Sequence, residues 1–127
     1  MAALHARCFT TPRPWRADEF AETLGMPGTF LLPRPNGLLV GRIILDEAEL
    51  LTLAVAPEAR RQGLGRALLS GFTTALRERG VASAFLEVAA DNIAARALYR
   101  SENWQQCGVR RRYFGPRTDA IVMRLVL

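Results

Sequence analysis

The chain has 127 residues, half of them hydrophobic and 23% charged, which is the composition of a globular protein and excludes a disordered or fibrous chain. All 17 basic residues are arginines and the formal net charge is +5, so an anionic ligand is expected, because guanidinium groups match phosphates and carboxylates. No apolar run reaches the roughly 20 residues of a membrane span, and the first residues do not resemble a signal peptide. We therefore expect a single domain over residues 1–127, cytoplasmic and without a membrane partner.

The few cysteines and the one histidine exclude several kinds of site. Cys8 and Cys107 stand alone without C-x-x-C spacing, so we expect two free thiols and neither a zinc site nor a disulfide framework. His5 is the only histidine, which excludes a Ser-His-Asp triad in any ordinary position and a histidine-rich metal site. The arginines are scattered except at Arg110–Arg112 and form no continuous basic stripe, so no direct nucleic-acid binding is expected.

The first half of the chain predicts two helices and then three strands. "MAALHARCF" has apolar residues at helical spacing, and the prolines of "TTPRPW" are expected to end this helix. "WRADEFAETLG" reads as a short amphipathic helix that ends at Gly25. The three predicted strands are Phe30–Leu32, Leu38–Leu45 and Leu50–Val55, with turns at Asn36-Gly37 and Asp46-Glu47.

The second half alternates helices and strands. Apolar residues at three- and four-residue spacing predict a helix over Gln62–Arg79 that Gly80 ends. The apolar run "ASAFLEVAA" predicts a strand, "DNIAARALYRSE" a capped helix, and "WQQCGVRRRYF" and "AIVMRLVL" a closing pair of strands. This order favours an α/β (α+β) fold, in which a parallel crossover interrupts an otherwise antiparallel sheet.

The glycine-rich stretch "RRQGLGRALL" joins a predicted strand to the long helix. Gly63 and Gly65 allow close approach of the backbone, and the free amides of the first helical turn carry the positive end of the helix dipole. This is the geometry of an anion site, although a glycine turn without a ligand has the same pattern. A Walker loop is excluded because the chain has no lysine, and the spacing does not fit the G-x-G-x-x-G dinucleotide motif.

The R-x-x-G-x-G turn from Arg60 to Gly65, with "LTLAV" before it and "LEV…N…ALY" after it, resembles the GNAT superfamily of acetyl-CoA-dependent N-acetyltransferases. The resemblance is closest to the RimI-type ribosomal-protein alanine N-acetyltransferases and extends over nearly the whole chain. It implies a mostly antiparallel sheet with a central parallel strand pair, flanked by helices. It also implies acetyl transfer to the N-terminal alanine of a ribosomal protein. The alternatives are another acceptor, either a different protein N-terminus or a small amine, and a module that binds coenzyme A without catalysis.

The resemblance also assigns the cosubstrate site, which would bind acetyl-CoA without a metal. The backbone at Leu53, Ala54 and Val55 would pair with the pantetheine arm like an added strand. The turn would hold the pyrophosphate through Arg60, Arg61, Gln62, Gly63, Leu64, Gly65 and Arg66. Asn92 matches the family's cofactor-contacting asparagine, but Asp91-Asn92 is also a good helix N-cap, and both roles remain open.

Two residues match the family's catalytic groups, and a third its acceptor site. Glu87 of "LEV" would be the general base, unless it is merely a strand carboxylate paired with an arginine. Tyr99 of "ALY" would protonate the departing thiolate, unless its ring simply fills the core. Tyr113 resembles the residue that contacts the acceptor, which would be a protein N-terminal peptide.

Several further features are left with alternatives. The acidic group Asp46, Glu47 and Glu49 could attract a basic peptide or form a solvated turn. The family has a strand before its first helix, and the chain starts at that helix, so this strand is expected to be missing. Asn103 stands where the family has a glycine, and we expect it to adopt the same left-handed conformation. We expect a monomer or a weak dimer.

Overall fold

The computed structural model describes residues 1–9 and 14–127. The helices are α1 Ala2–Cys8, α2 Ala17–Leu24, α3 Leu64–Glu78 and α4 Ile93–Ser101, with one 3-10 turn at Pro57–Ala59. The strands are β1 Thr29–Arg34, β2 Gly37–Ile44, β3 Glu47–Val55, β4 Ser83–Ala89, β5 Gln105–Arg110 and β6 Ala120–Val126. The predicted order of helices and strands is confirmed. Pro12, one of the two prolines expected to end α1, lies outside the described residues.

The six strands form one sheet in the order β1-β2-β3-β4-β6-β5. The pair β3/β4 is parallel and every other neighbouring pair is antiparallel, which confirms the predicted mixed sheet. The parallel register covers only Glu47–Glu49 opposite Ser83–Phe85. Beyond Glu49, β3 has no partner in β4, so the two central strands separate toward their carboxyl ends and leave a gap between them.

A β-bulge lies in β3 just beyond this point of separation. Val40 pairs with Thr52 and Gly41 with Leu50, so Leu51 has no partner in β2. The extra residue reverses the alternation of side chains, because Leu50 and Leu53 both pack into the same core. The bulge therefore changes which side chains of β3 lie on each face of the sheet beside the gap.

The sheet separates two hydrophobic cores. On one face α3 and α4 cover the larger core, in which Phe72 stacks on Trp104 with ring centroids 6.5 Å apart. On the other face α1 packs on β3 and α2 on β1, and Phe20 is 1% exposed in this smaller core. Both faces of the β1–β3 half are thus covered, which holds α1 beside the gap between β3 and β4.

Two helices end in the same hydrogen-bonded motif. After α3, Val81 N–H donates to the Leu76 carbonyl and Gly80 has φ +71°, as a Schellman cap requires. After α4, Trp104 N–H donates to the Tyr99 carbonyl, and Asn103 has φ +72°, which confirms the expected left-handed asparagine. No helix in the described ranges is both long and apolar enough to cross a membrane.

Two predicted turns are shifted by one residue. The turn expected at Asn36-Gly37 is formed by Pro35 and Asn36, because Gly37 already pairs with Val55 in the sheet. The turn expected at Asp46-Glu47 is formed by residues 45 and 46, in which Leu45 takes φ +58°. The leucine makes this left-handed position hard to predict, since asparagine or glycine is usual there.

Candidate active site

A cleft of about 760 Å³ fills the gap between β3 and β4. Its floor is formed by the separating strands, and one wall by α1 together with Phe9 and Trp15. The turn before α3, the first turns of α4, and Tyr113 and Phe114 of the β5–β6 loop complete its lining. The cleft thus joins the glycine turn to the β5–β6 loop in one continuous space.

Most of the residues that the sequence predicts for the site line this cleft. The predicted site residues that line it are Leu53, Val55, Arg60, Arg61, Gly65, Arg66, Glu87, Asn92, Tyr99 and Tyr113. Four others do not line it, namely Ala54, Gln62, Gly63 and Leu64. The Ala54 side chain lies in the smaller core, and its assignment concerned only the backbone. Residues 62–64 belong to the turn itself, where the expected contacts were likewise mainly with backbone amides.

The backbone of the glycine turn has the form of an anion cradle. Arg61 and Gly63 have φ +64° and φ +80° on either side of Gln62, an alternation typical of anion-binding nests. Within the described ranges, none of the backbone N–H groups of residues 61–66 donates to a protein acceptor. Open space surrounds the position that a Cβ on Gly63 would occupy. The turn therefore fits a diphosphate, with Arg60 and Arg66 beside it.

Gly65 has a different role from Gly63. A Cβ on Gly65 would lie 3.0 Å from Leu98 Cδ2 and 3.9 Å from Val55 Cγ2. This glycine therefore allows α3 to begin directly against α4 and β3. A larger residue at Gly65 would collide with Leu98 and Val55 in the wall of the cleft.

The carbonyl of Val55 at the end of β3 is already hydrogen-bonded. Arg60 Nε donates to it over 3.1 Å and Cys8 Sγ over 3.2 Å. A carbonyl has two lone pairs, so these two donors occupy it fully. A pantetheine arm along β3 would have to use other backbone groups of this segment, such as those of Leu53.

Glu87 on β4 is paired with Arg110 on β5. Arg110 Nε lies 3.1 Å from Glu87 Oε1, and the guanidinium also lies 5.1 Å from the centre of the Tyr113 ring. The ion pair with an arginine, the alternative to a catalytic role, is thus present, and Glu87 nevertheless lines the cleft. Glu49 is the last residue of β3 that pairs with β4, and burial and then the charge of Glu87 raise its pKa. The charges of Arg110 and Arg42 act in the opposite direction on Glu49.

Tyr99 belongs both to the core and to the cleft. The residue is 7% exposed and its ring lies 6.2 Å from that of Trp104. Burial raises the pKa of the phenol above its ordinary value, so the hydroxyl stays protonated. Among the described residues no side chain has a fully buried polar atom without a partner, and none of them bonds the Tyr99 hydroxyl, so this hydroxyl reaches the open cleft.

Asn92 has the predicted capping role, because its side-chain oxygen accepts the Ala95 N–H over 3.2 Å. The residue also lines the cleft, and the cap leaves its side-chain N–H groups free to donate to a cosubstrate. Tyr113 also lines the cleft, next to Phe114, and is 52% exposed.

Sequence reasoning missed the wall formed by the N-terminal segment. His5, Cys8, Phe9 and Trp15 line the cleft, and the His5 ring stacks on Phe9 with centroids 4.3 Å apart. The helical spacing of α1 predicts that one face is buried but gives no sign of what it faces. Thr52 was likewise missed, because it is one of several residues in an apolar strand. Glu49 was noted only as part of an acidic turn.

Residues 2–103 match the acetyltransferase (GNAT) family. The ribosomal protein bS18-alanine N-acetyltransferase of Escherichia coli (strain K12) is 40% identical, over 98% of this chain and 88% of its own length. The N-alpha-acetyltransferase RimI of Mycobacterium tuberculosis is 37% identical, over 97% of this chain and 82% of its own.

A solved structure has the same fold. The crystal structure of the ribosomal-protein-S18-alanine N-acetyltransferase from Escherichia coli has a TM-score of 0.88 and 35% identity to this chain. The similarity covers 98% of this chain and 84% of that one. The chain belongs to the acetyltransferase (GNAT) family and is an acetyl-CoA-dependent N-acetyltransferase.

Proposed function

We propose that this enzyme acetylates the N-terminal α-amine of a ribosomal protein whose first residue is alanine. The observation that carries the proposal is the single cleft that runs from an anion cradle to a pair of carboxylates. The relatives at 40% and 37% identity, named for ribosomal alanine or N-alpha acetylation, support the choice of acceptor. A ribosomal acceptor also supports the cytoplasm as its location, and we propose that it acts there as one domain, monomeric or weakly dimeric.

Acetyl-CoA binds with its diphosphate at the turn of residues 61–66 and its thioester near the bulge of β3. The free amides and the helix dipole of α3 neutralise the diphosphate charge. Arg60, Arg61 and Arg66 add positive charge around the turn. The cosubstrate is thus oriented by backbone groups, which are rigid because α3 and β3 hold them.

The acceptor amine enters past Tyr113 and reaches the carboxylates of Glu87 and Glu49. The carboxylates attract the ammonium group, and Glu87 removes its proton, directly or through a water molecule. The neutral amine attacks the thioester carbonyl, the C–N bond forms and the C–S bond breaks. Tyr99, which lines the cleft, donates its hydroxyl proton to the departing thiolate and regains one from the nitrogen, which loses its second proton as the amide forms.

Proton energetics favour an N-terminus over a lysine side chain. An α-amine has a pKa of about 8 and a lysine amine about 10.4, so near neutral pH the α-amine is neutral about two orders of magnitude more often. The cleft holds carboxylates and a buried, neutral histidine, and this chemistry suits the more easily deprotonated amine.

The test is acetylation of a peptide panel, read by mass spectrometry. The kcat/KM for a peptide with a free N-terminal alanine is expected to be about two orders of magnitude higher than for the same peptide with a blocked terminus and an internal lysine. Peptides with other first residues and small amines complete the panel. A lysine peptide or a small amine as the best substrate would overturn the N-terminal assignment, and no transfer to any amine would overturn the activity.

The catalytic assignments are tested in the same assay. Glu87→Gln and Tyr99→Phe are each expected to lower kcat by about two orders of magnitude, the usual range for such groups. Their acetyl-CoA affinity by calorimetry should remain close to that of the wild type, because neither residue belongs to the anion cradle. Glu47→Gln serves as the control, since this carboxylate is exposed at the start of β3 and does not line the main cleft. If both variants had wild-type rates, Glu87 and Tyr99 would have no catalytic role.

A further inference from the structure

His5 is a buried histidine whose two ring nitrogens are both hydrogen-bonded. The residue is 1% exposed, between Phe9 and Trp15. The backbone N–H of Trp15 donates to His5 Nδ1 over 3.0 Å, so Nδ1 carries a lone pair and no proton. The proton of the neutral ring is therefore on Nε2, and burial agrees with this state because it lowers the pKa of His5 to about 4.

This tautomer determines the role of the Thr52 hydroxyl. His5 Nε2 lies 2.7 Å from Thr52 Oγ1, and since Nε2 is the donor, the threonine oxygen is the acceptor. Thr52 is 7% exposed and lines the cleft. Its own hydroxyl hydrogen has no acceptor among the described residues. The hydroxyl is thus arranged to donate one hydrogen bond to something in the cleft.

The location of Thr52 limits what that acceptor is. The residue directly follows the bulge and directly precedes Leu53, where the proposed pantetheine path ends. An O–H donor at this point does not suit the attacking amine, because it would engage the lone pair that must react. A carbonyl oxygen is the suitable acceptor, and the thioester and the first peptide unit of the acceptor each carry one.

We propose that Thr52 donates a hydrogen bond to a substrate carbonyl oxygen in the cleft, and that His5 acts as the positioning residue for this hydroxyl. The inference rests on the proposed acetyl transfer and deepens it by assigning two residues outside the sequence motifs. Because His5 lies on α1 and Thr52 on β3, docking of the N-terminal helix sets the orientation of a group that contacts substrate.

The experiment compares Thr52→Val, which keeps the shape and removes the hydroxyl, with Thr52→Ser, which keeps the hydroxyl. Thr52→Val is expected to lower kcat/KM for the alanine peptide at least about 10-fold, and Thr52→Ser to restore most of it. A fall in kcat of about 10²-fold with unchanged KM would place the bond on the thioester oxygen, where charge develops. A raised peptide KM with unchanged kcat would place it on the acceptor carbonyl.

A second pair of variants tests the positioning role. His5→Gln retains a donor and an acceptor and is expected to keep near-wild-type kinetics, whereas His5→Leu should show the same kinetic defect as Thr52→Val. Thr74→Val, on the exposed face of α3, is the matched control for loss of a threonine hydroxyl. Circular dichroism and acetyl-CoA affinity identify variants that have lost their fold, and Thr52→Ser and His5→Gln supply folded comparisons if one fails.

Wild-type kinetics in folded Thr52→Val would overturn the inference, as would an equal loss in Thr52→Ser. A defect in His5→Leu limited to stability, with unchanged kcat and KM, would overturn the positioning role. If the proposed function is wrong, the wild-type protein itself transfers no acetyl group. This inference is then wrong as well.

Discussion

At the scale of single residues, the candidate site is governed by the balance between Glu87, Glu49 and Arg110. The charge of Glu87 on β4 acts on Glu49, the last paired residue of β3, and the Arg110 guanidinium forms an ion pair with Glu87. Arg110 and Arg42 favour the ionised form of Glu49, while burial and the charge of Glu87 oppose it. This balance sets the pH at which the pair becomes able to accept a proton from the amine.

Replacing Arg110 with glutamine is expected to move the acidic limb of the kcat/KM profile to higher pH. The charge of Arg110 lowers the pKa of Glu49, so its removal lets that pKa rise further. Since the ionised Glu49 carboxylate helps attract the ammonium group to Glu87, activity is then lost at a higher pH during acidification. The measurement is the pH–rate profile with the alanine peptide.

Arg111→Gln provides the control for Arg110→Gln, because it removes the same charge from the neighbouring residue, which has no ion pair with a described carboxylate. Its profile should coincide with that of the wild type apart from small long-range effects. Equal shifts in both variants would mean that net charge alone controls the profile. An unshifted Arg110→Gln profile would exclude the proposed balance.

At the scale of an element, α3 has a left-handed glycine just outside each of its ends. Gly63 at the start has φ +80° and Gly80 at the end has φ +71°, and open space surrounds the Cβ position of both. An alanine at either place costs about 1–2 kcal/mol, because the left-handed conformation is strained for residues with a Cβ. Only the glycine at the start belongs to the proposed diphosphate cradle.

The pair Gly63→Ala and Gly80→Ala therefore separates stability from binding. Both variants are expected to lose a similar amount of unfolding free energy in urea, about 1–2 kcal/mol. Acetyl-CoA affinity should fall several-fold or more in Gly63→Ala, because the cradle backbone shifts, and stay unchanged in Gly80→Ala. Calorimetric titration with acetyl-CoA measures the difference. If both variants bound equally well, the cradle would not be the diphosphate site.

At the scale of the whole molecule, the short helix α1 completes the cleft by docking on β3. His5 bonds Thr52, Cys8 bonds the Val55 carbonyl, and Arg7 pairs with Glu58 of the 3-10 turn. The pair Arg7–Glu58 is exposed and adds little stability, so the buried histidine and its aromatic neighbours carry most of the attachment. The smaller core and the wall of the cleft that α1 forms therefore depend on the same contacts.

Acidification is expected to weaken this docking. The pKa of His5 is about 4 in the folded chain and 6.5 in the unfolded one, so the unfolded chain binds more protons between these values. The stabilisation is complete above pH 6.5 and is lost as the pH falls toward 4. For one proton the slope is at most about 1.4 kcal/mol per pH unit.

Urea unfolding of the wild type and of His5→Gln as a function of pH measures this contribution. Glutamine does not titrate, so the difference between the two curves isolates the histidine from the carboxylates that also titrate. The nearby charged group is Glu19 of α2, whose attraction raises the pKa of His5 less than burial lowers it. Parallel curves would show that His5 does not titrate with unfolding.

The local elements follow from the sequence because their signals are local. Apolar spacing predicts α3 and α4, and Gly80 and Asn103 end them through left-handed caps that need only the residues around them. The alternation of strands and helices predicts the parallel pair, since a crossover of this length has few other arrangements. The turn motif and the positions of Glu87 and Tyr99 are likewise readable, because they occupy fixed places in a family pattern.

Only the tertiary structure decides which of these residues line the same cleft. The gap opens because the pairing of β3 with β4 stops at Glu49, and the bulge at Leu51 then changes which side chains lie on each face of the sheet beside it. The partners Glu87 and Arg110, and His5 and Thr52, come from segments far apart in the chain. Such pairings depend on strand order and register, which arise from packing of the whole chain. The sequence by itself therefore determined the fold class and the family motif, whereas the cleft and its charge balance exist only after folding.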